Sequence, residues 1–443
     1  MNTIDNIKER FHQLQSAATN KLKPLEQNAF DAFNRMGIPT SRHEEWKYTR
    51  IGSLFNKAFE LGATRAPLSK EEIDPIRLPG SDEANELVFV NGIYAPDLSN
   101  IRSKELIVQS LQQAAANEFS SVVSKHLGHS SRYAKDGVHA LNSAFAHEGI
   151  FIHVGAGKIT EHPVYIYYLT DARSANILSQ PRNLVHIAER AEVEIAETHF
   201  TLGISESFTN EVLEVIVEKD ANVSYYKIQN DAGNASQVCT THFRQTGKSY
   251  IHAVTISLNG GIVRNNLNIV LEAEYAEAHL YGLYFLRGNS HVDNHTTVDH
   301  VKPNCHSNEL YKGIIADSAT AVFNGKIFVQ PDAQKTNAYQ SNKNILLSDG
   351  ASVNTKPQLE IFADDVKCSH GCTVGRLDEE GLFYLRSRGI SEDTARSLLV
   401  HAFAVDILEH IKPPVLRNYV DNLIFDRLQF DYHDAISSDT GNV

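Results

Sequence analysis

Cysteine is scarce in this sequence. The 443 residues contain four: Cys239, Cys305, Cys368 and Cys372. Four thiols in so long a chain do not form the disulfide framework that stabilises small secreted domains. No stretch approaches the ~18 consecutive apolar residues of a membrane-spanning helix, and the polar opening segment Met1–Asp5 lacks the apolar region of a secretory signal. We therefore expect a cytoplasmic protein that does not enter a membrane.

Blocks of positive charge are also absent. The chain carries 41 Lys and Arg against 54 Asp and Glu, a formal net charge of −13, so a nucleic-acid groove or an anionic membrane surface is not expected. Gly247-Lys248-Ser249 matches the end of a P-loop, but His242 stands where that motif requires its first glycine. This chain should therefore bind no nucleotide by that motif. The sequence also lacks the GxSxG, HExxH and CxxC signatures.

Hydrophobic periodicity indicates helices at the amino end. Apolar residues recur at i, i+3 and i+4 spacing between Ile7 and Met36 and again between Leu106 and Phe145. Between these segments, Asn91-Gly92 joins two short apolar runs, which is typical of a β-hairpin. We assign residues 1–145 to a mainly helical N-terminal domain with a hairpin.

The carboxyl end shows helical spacing too. It returns after Gly389, where Ser391 is a candidate N-cap and Glu392 and Asp393 would place negative charge in the first turn. We assign residues 376–443 to a C-terminal helical domain.

Residues 146–375 differ from both ends, because apolar and polar residues alternate there in short runs. A polar turn, a small residue and an alternating strand recur, with these alanines at the small position: Ala191, Ala221, Ala276, Ala319 and Ala351. Their spacing is irregular, and the widest gap, between Ala221 and Ala276, has room for another copy near Gly247–Ile251. Strands that recur in this way favour a β-solenoid core whose coils bury their inner faces on one another. A two-sheet antiparallel sandwich is the alternative.

The segment Lys367–Cys372 carries the most unusual chemistry. In an extended strand Cys368, His370 and Cys372 would project from one face, each about 6.8 Å from the next. Thiolate and imidazole suit iron, copper or zinc. At that spacing the three side chains cannot coordinate one small ion together unless the strand bends. Each could still contribute to a site that another chain completes. Alternatively, the cysteines are small core residues, since cysteine is often buried in protein cores. The CxxxC spacing by itself is not specific for a metal site.

A second polar cluster begins at His291 and Asp293. With a further histidine, a His-x-Asp pair is the element of a non-haem iron facial triad, which makes an Fe(II) oxygenase an alternative function. The other interpretation is that these side chains hydrogen-bond across coils. A sugar-cleaving β-helix enzyme would need paired carboxylates, and no pair stands out. Near the amino end, Arg42–Thr49 contains the only tryptophan and is interpreted as an exposed charged turn around an aromatic anchor.

The run from Asn337 to Ile390 resembles the SufB/SufD family of iron–sulfur cluster assembly proteins. The resemblance is carried by Pro357-Gln358-Leu359-Glu360-Ile361, by Asp364 to Gly371 and by Tyr384-Leu385 with Arg388-Gly389-Ile390. Phe323 to Ile327 and Asp299-His300 fit the same family. Arg42–Thr49 is similar to the corresponding motif of the SufD branch. The resemblance covers residues from about 40 to 430.

This resemblance implies a fold and a set of partners. The family has a right-handed parallel β-helix core flanked by helical domains. A SufD-like chain pairs with SufB through the β-helix, and its C-terminal helices bind the SufC ATPase. Such a chain is a non-enzymatic scaffold that binds no nucleotide itself and forms a homodimer when alone. The complex builds a nascent iron–sulfur cluster, and its sulfur comes from a cysteine desulfurase with a SufE or SufU partner.

The resemblance also implies a site. His370 matches the family histidine that helps to hold a transient iron–sulfur cluster shared with a SufB cysteine. Cys368 matches the neighbouring family cysteine, whose role is less defined. Cys372 stands where the SufD pattern usually has alanine, so we interpret it as a small buried side chain rather than an added ligand.

Overall fold

The computed structural model describes residues 3–17, 21–61 and 68–439. Its helices are α1 Thr3–Ala17, α2 Lys23–Met36, α3 Gly52–Phe55, α4 Lys70–Ile73, α5 Leu111–Ala116, α6 Ser120–His126, α7 Gly137–Ala144, α8 Glu379–Ser387, α9 Glu392–Leu408 and α10 Pro414–Asp439. Its strands are β1 Glu60–Leu61, β2 Asn85–Val90, β3 Ile93–Tyr94, β4 Leu106–Ser110, β5 Ile150–Val154, β6 Val164–Asp171, β7 Ile177–Ser179, β8 Arg182–Ile187, β9 Glu192–Leu202, β10 Ser207–Val217, β11 Asn222–Asn230, β12 Ala235–Gln245, β13 Tyr250–Asn259, β14 Ile262–Leu271, β15 Glu277–Leu286, β16 His291–His300, β17 His306–Ile315, β18 Thr320–Val329, β19 Asn337–Leu346, β20 Ser352–Thr355, β21 Gln358–Ile361 and β22 Lys367–Gly375.

The strands form a parallel β-solenoid. Successive strands alternate between two sheets, and each pairs in parallel with the strand one coil away, as β11 does with β9 and β13. The first sheet runs from β4 through β10 to β20 and β21, and the second runs from β3 through β11 to β22. The predicted solenoid core with flanking helices is therefore confirmed, and the antiparallel sandwich is wrong.

The register explains the irregular repeat spacing. In the second sheet Asn222 pairs with Tyr250 and Tyr250 pairs with Glu277, so one coil ends and the next begins at Tyr250. Copies of the repeat at Ala191, Ala221 and Ala276 precede strands of this sheet, whereas Ala319 and Ala351 precede strands of the first. The copy missing between Ala221 and Ala276 is the start of β13 at Tyr250, close to where it was expected.

The solenoid corners require a left-handed backbone. Arg190, Asp220 and Tyr275 have φ between 56° and 61°, and each lies directly before the small repeat residue that opens the next strand. A side chain at such a φ costs free energy, and a small residue after it lets neighbouring corners stack closely. The recurring polar-then-small pattern is therefore the signature of these corners.

The local predictions hold with two exceptions. The hairpin forms between β2 and β3, and Asn91 and Gly92 adopt the positive φ values of its turn. The Ser391 side chain caps α9, as predicted. However, Leu106–Ser110 is a strand that pairs with β5, and the C-terminal helices begin at Glu379, before Gly389. Pairing with the sheet overrides the helical spacing of the first segment.

The two helical regions cover the outer faces of the two sheets. Side chains of α9 and α10, including Val400, Ile407 and Leu416, pack on outward residues of the second sheet such as Val254 and Leu283. The N-terminal helices and the loops between them cover outward residues of the first sheet. No helix in the described parts of the chain is long and apolar enough to span a membrane.

Candidate functional site

The solenoid ends in an open coil. Its strands β20 and β21 pair only with β18, and β22 pairs only with β19. Within the described ranges, no strand pairs with their outer edges. Such edges present a row of unpaired N–H and C=O groups. The end of β22 is also the most exposed part of the second sheet.

The three candidate ligands lie on β22, and they share one face as the extended spacing predicted. Cys368, His370 and Cys372 pair in register with Ala338, Gln340 and Asn342 of β19. Those three β19 residues are buried inside the solenoid. The candidate ligands therefore point toward the interior of the solenoid. No further coil of this chain covers them within the described residues, because β22 belongs to the last coil.

Each of the three has different surroundings. Cys368 is half-buried against the solenoid core, and burial raises the pKa of its thiol. The Cys372 sulfur is exposed and lies 2.7 Å from the Thr355 hydroxyl of β20, which corrects the expectation of a buried side chain. The His370 side chain is exposed and makes no hydrogen bond within the described residues. Its imidazole is thus free to accept a ligand from outside.

Apolar side chains surround the open end. Phe362, Val374, Tyr339 and Ile361 are 60%, 48%, 40% and 39% exposed. Ile361 and Val374 continue rows of residues that are buried in the preceding coils. The open coil therefore exposes part of what would be core, which is typical of a surface that a partner covers.

A polar column leads inward from His370. Gln340 lies one coil below it and donates a hydrogen bond of 2.8 Å to Glu309 in the next coil. Glu309 is 2% exposed, and burial raises its pKa to about 7. A buried carboxyl group without a cationic partner favours its neutral form.

We expect Glu309→Gln to stabilise the protein above about pH 7 and to change little near pH 4. The neutral carboxyl contributes stability that is complete below the ordinary pKa of 4.5 and is lost as the pH rises through about 7. The difference between these pKa values corresponds to about 3 kcal/mol of unfolding free energy. Urea unfolding of both proteins across this pH range measures it, and a stability difference that does not change with pH would contradict it.

The His291–Asp293 pair has a structural role and does not form a facial triad. The Thr49 hydroxyl lies 2.9 Å from the His291 Nε2 and donates to the Asp293 carboxylate at 2.5 Å. The same carboxylate accepts from the Arg264 guanidinium at 2.7 Å and lies 2.9 Å from the His295 Nε2. Burial alone would raise the pKa of Asp293, but His295 and Arg264 lower it below its ordinary value. A carboxylate neutralised in this way is not available to iron.

The Arg42–Thr49 segment attaches the N-terminal domain to the first sheet. Trp46 is 2% exposed and stacks on the Arg264 guanidinium, whose carbon lies 4.0 Å from the ring centroid. Glu45 lies 3.4 Å from His295 and 3.5 Å from Lys326. The hydrogen bond with His295 lowers the pKa of Glu45 to about 2. The aromatic anchor is therefore confirmed, while Glu45 is paired across the junction.

A second charged cluster lies inside the solenoid. The Lys227 ammonium is 2.8 Å from Glu197 and 3.4 Å from Glu211, and His199 is 3.0 Å from Glu211. Cys239 lies 3.8 Å from the His199 ring nitrogen. Burial alone would raise the pKa of Glu211, but Lys227 and the hydrogen bond with His199 together lower it to about 2. Burial and the Glu211 charge raise the pKa of Glu197. These residues lie on four strands, β9 to β12, so the sequence alone does not show that they meet.

Comparison with known proteins assigns the fold to a family. Residues 168–403 match the family described as SUF system FeS cluster assembly, SufBD core domain, and residues 2–166 match the SufBD protein N-terminal region. The chain is 30% identical over 428 residues to the iron–sulfur cluster assembly protein SufD of Escherichia coli, covering 96% of this chain and 97% of that protein. It is 33% identical over 396 residues to an iron–sulfur cluster assembly SufBD family protein of Synechocystis, covering 87% and 86% of the two chains. Protein ABCI7, chloroplastic, of Arabidopsis thaliana is 33% identical over 291 residues, or 64% of this chain and 61% of that one. The resemblance read from the motifs is thus confirmed, and the chain belongs to the SufBD family of iron–sulfur cluster assembly proteins as a SufD-like member.

Proposed function

We propose that this chain is a non-enzymatic scaffold subunit of a SUF complex in the cytoplasm. It pairs through the open end of its solenoid with a SufB-like subunit and binds a SufC-like ATPase through its C-terminal helices. A transient iron–sulfur cluster is held at the subunit junction as cargo. Family membership and the SufD-like relatives support the assembly role.

The open coil is the observation that carries this proposal. It combines unpaired strand edges, exposed apolar residues and a row of metal-binding side chains on one surface. A second solenoid that adds its own strands to these edges would satisfy the backbone groups and cover the apolar rim. The same surface would pair two copies of this chain when the SufB-like partner is missing.

His370 and Cys368 are the proposed ligands of the shared cluster. Their positions are separated by one residue on β22 and face the junction, so a ligand of the partner could complete the coordination from the opposite side. Imidazole and thiolate are suitable donors for iron in such clusters. The pKa of Cys368 is raised, so cluster binding there must displace the thiol proton. Cys372 is a small side chain whose sulfur is in hydrogen-bond contact with the Thr355 hydroxyl, and it is not assigned as a ligand.

The C-terminal helices offer a surface for the ATPase. Phe383 and Tyr384 of α8 are 75% and 57% exposed, and Phe425 of α10 is 53% exposed. Phe383 and Tyr384 are adjacent on one helix, and exposed apolar side chains that adjoin one another mark an interaction surface. We assign this Phe383–Tyr384 patch to the SufC-like partner.

Anaerobic reconstitution tests the proposal. The chain is supplied with ferrous iron and sulfide, with and without its SufB-like partner, and cluster absorbance is followed. We expect absorbance that requires the partner and is lost in His370→Ala, because the exposed ring supplies a ligand. Thr373→Ala on the same strand is the matched control and should retain the absorbance. Full cluster formation by His370→Ala together with the partner would overturn the role of His370.

A pull-down provides the second readout. The Phe383→Ser, Tyr384→Ser double variant should fold, because both side chains are exposed, but should no longer capture the ATPase. Undiminished capture would exclude this patch as the docking surface and leave the cluster result unaffected.

A further inference from the structure

A histidine–carboxylate cluster lies on the outer face of the second sheet, on strands β15 and β17. Glu277 and His279 are on β15, and His306 on β17 pairs directly with Glu277. Residues two apart on a strand share a face, so all three side chains project outward together. One donor atom from each lies within 4.8 Å of the donors from the other two.

The cluster has a defined geometry. The His279 Nε2 is 2.5 Å from a Glu277 carboxylate oxygen, and the centroids of the His279 and His306 rings are 5.5 Å apart. The Tyr250 and Tyr281 rings lie beside the His279 ring, with centroids 5.4 and 6.4 Å away. These contacts restrict the ring, while the three side chains remain partly accessible to solvent.

We propose that Glu277, His279 and His306 form a binding site for a divalent transition-metal ion of the zinc and ferrous-iron class. Two imidazoles and one carboxylate are a ligand set that these ions favour, and three protein ligands leave positions for water. Tetrahedral coordination needs donor atoms about 3.3 Å apart. Donors already within 4.8 Å reach that spacing by rotation of side chains on a fixed sheet.

The buried cluster around Glu211 shows why the surface site is the better candidate. His199, Glu211 and Cys239 also bring three donors within 4.8 Å. However, the Lys227 ammonium lies 3.4 Å from the Glu211 carboxylate and occupies the place of a cation. No lysine or arginine within the described residues forms an ion pair with Glu277, and its carboxylate contacts only the His279 imidazole of the same cluster.

The site is independent of the proposed cluster junction. His279 and His306 face outward from the second sheet, whereas His370 and Cys368 face its inside. The metal ion would therefore bind to the isolated chain without the SufB-like partner. Loss of one site should leave the other intact, so the two proposals can fail separately.

Metal titration of the full chain tests the site. The chain is stripped of metal with a chelator and titrated with Zn²⁺ by calorimetry, and Co²⁺ absorption reports the coordination. We expect one equivalent to be lost in the His279→Ala, His306→Ala double variant. Glu277→Gln should weaken binding by about tenfold or more. Circular dichroism of each variant checks that the fold is kept.

Two variants serve as matched controls. His401→Ala removes a surface histidine that is paired with Asp421 and, within the described residues, has no second imidazole beside it. This variant should bind metal like the parent. His370→Ala should also keep this equivalent. Unchanged binding in the double variant, or no bound metal in the parent chain, would overturn the proposal.

Discussion

Replacing Lys227 with methionine should lower the free energy of unfolding by about 3–5 kcal/mol, the cost of breaking a buried ion pair by removing one partner. The ammonium is 2% exposed and lies between Glu197 and Glu211, both fully buried. Methionine keeps most of the volume but leaves two carboxylates together without the ammonium that lies between them. Each must then be protonated or remain charged at low dielectric, and both alternatives cost stability. Urea unfolding at neutral pH measures the loss.

A rescue experiment separates charge from packing. Glu197→Gln and Glu211→Gln, added to Lys227→Met, remove the uncompensated charges and should restore a large part of the stability. Lys343→Met is the matched control, because Lys343 is exposed on the outer face of β19. A loss in Lys227→Met no larger than in this control would show that the buried pair does not hold the coils together.

Asp293→Asn should destabilise the junction between the N-terminal domain and the solenoid, with a similar loss of about 3–5 kcal/mol. The substitution keeps the shape of the side chain but leaves the Arg264 guanidinium buried without its counter-charge. Because Trp46 stacks on that guanidinium, we also expect faster amide hydrogen exchange in Arg42–Thr49. Exchange followed by mass spectrometry localises the effect, and urea unfolding gives its size.

Asp299→Asn is the control for this second prediction. Asp299 is also buried, but its partners are the neutral Tyr133 hydroxyl and Gln330 amide, so its loss should be smaller. Iron-dependent oxygen consumption that disappears in Asp293→Asn, while stability is unchanged, would contradict a purely structural role.

The fold could be predicted largely because the same pattern of corner and strand residues recurs from coil to coil. Corners before strands of the second sheet, such as Arg190-Ala191 and Asp220-Ala221, place a left-handed residue directly before a small one, and the strands alternate, so both signals recur along the sequence. The repeat did not reveal which sheet a copy belongs to, because the copies at Ala319 and Ala351 before strands of the first sheet have the same polar-then-small composition. Leu106–Ser110 was misassigned because three helices, α5 to α7, separate it in the chain from its partner β5, beyond the reach of local periodicity.

The candidate site could be predicted only as a set of residues and a face. Spacing placed Cys368, His370 and Cys372 together, and the structure shows that their face is at the uncovered end. Hydrogen bonding across coils was one of the two interpretations of the Asp293 cluster, and the Arg264–Asp293 pair confirms it. The contact of Asp293 with Thr49 could not be predicted, since Thr49 lies 244 residues away. The cluster of Glu277, His279 and His306 was also missed, because Glu277 and His306 become neighbours only when one complete coil of the solenoid has returned the chain to the same sheet.

The open coil has a thermodynamic consequence for the segment that carries His370. In a linear array each repeat is stabilised by the repeats beside it, and the final one has a single neighbour. Fraying should therefore begin at β20 to β22 and proceed inward, giving a gradient of opening free energies along the solenoid axis. The strand that carries the candidate ligands is then the one whose backbone opens with the lowest free energy. Any chain that stacks on it supplies the missing neighbouring repeat.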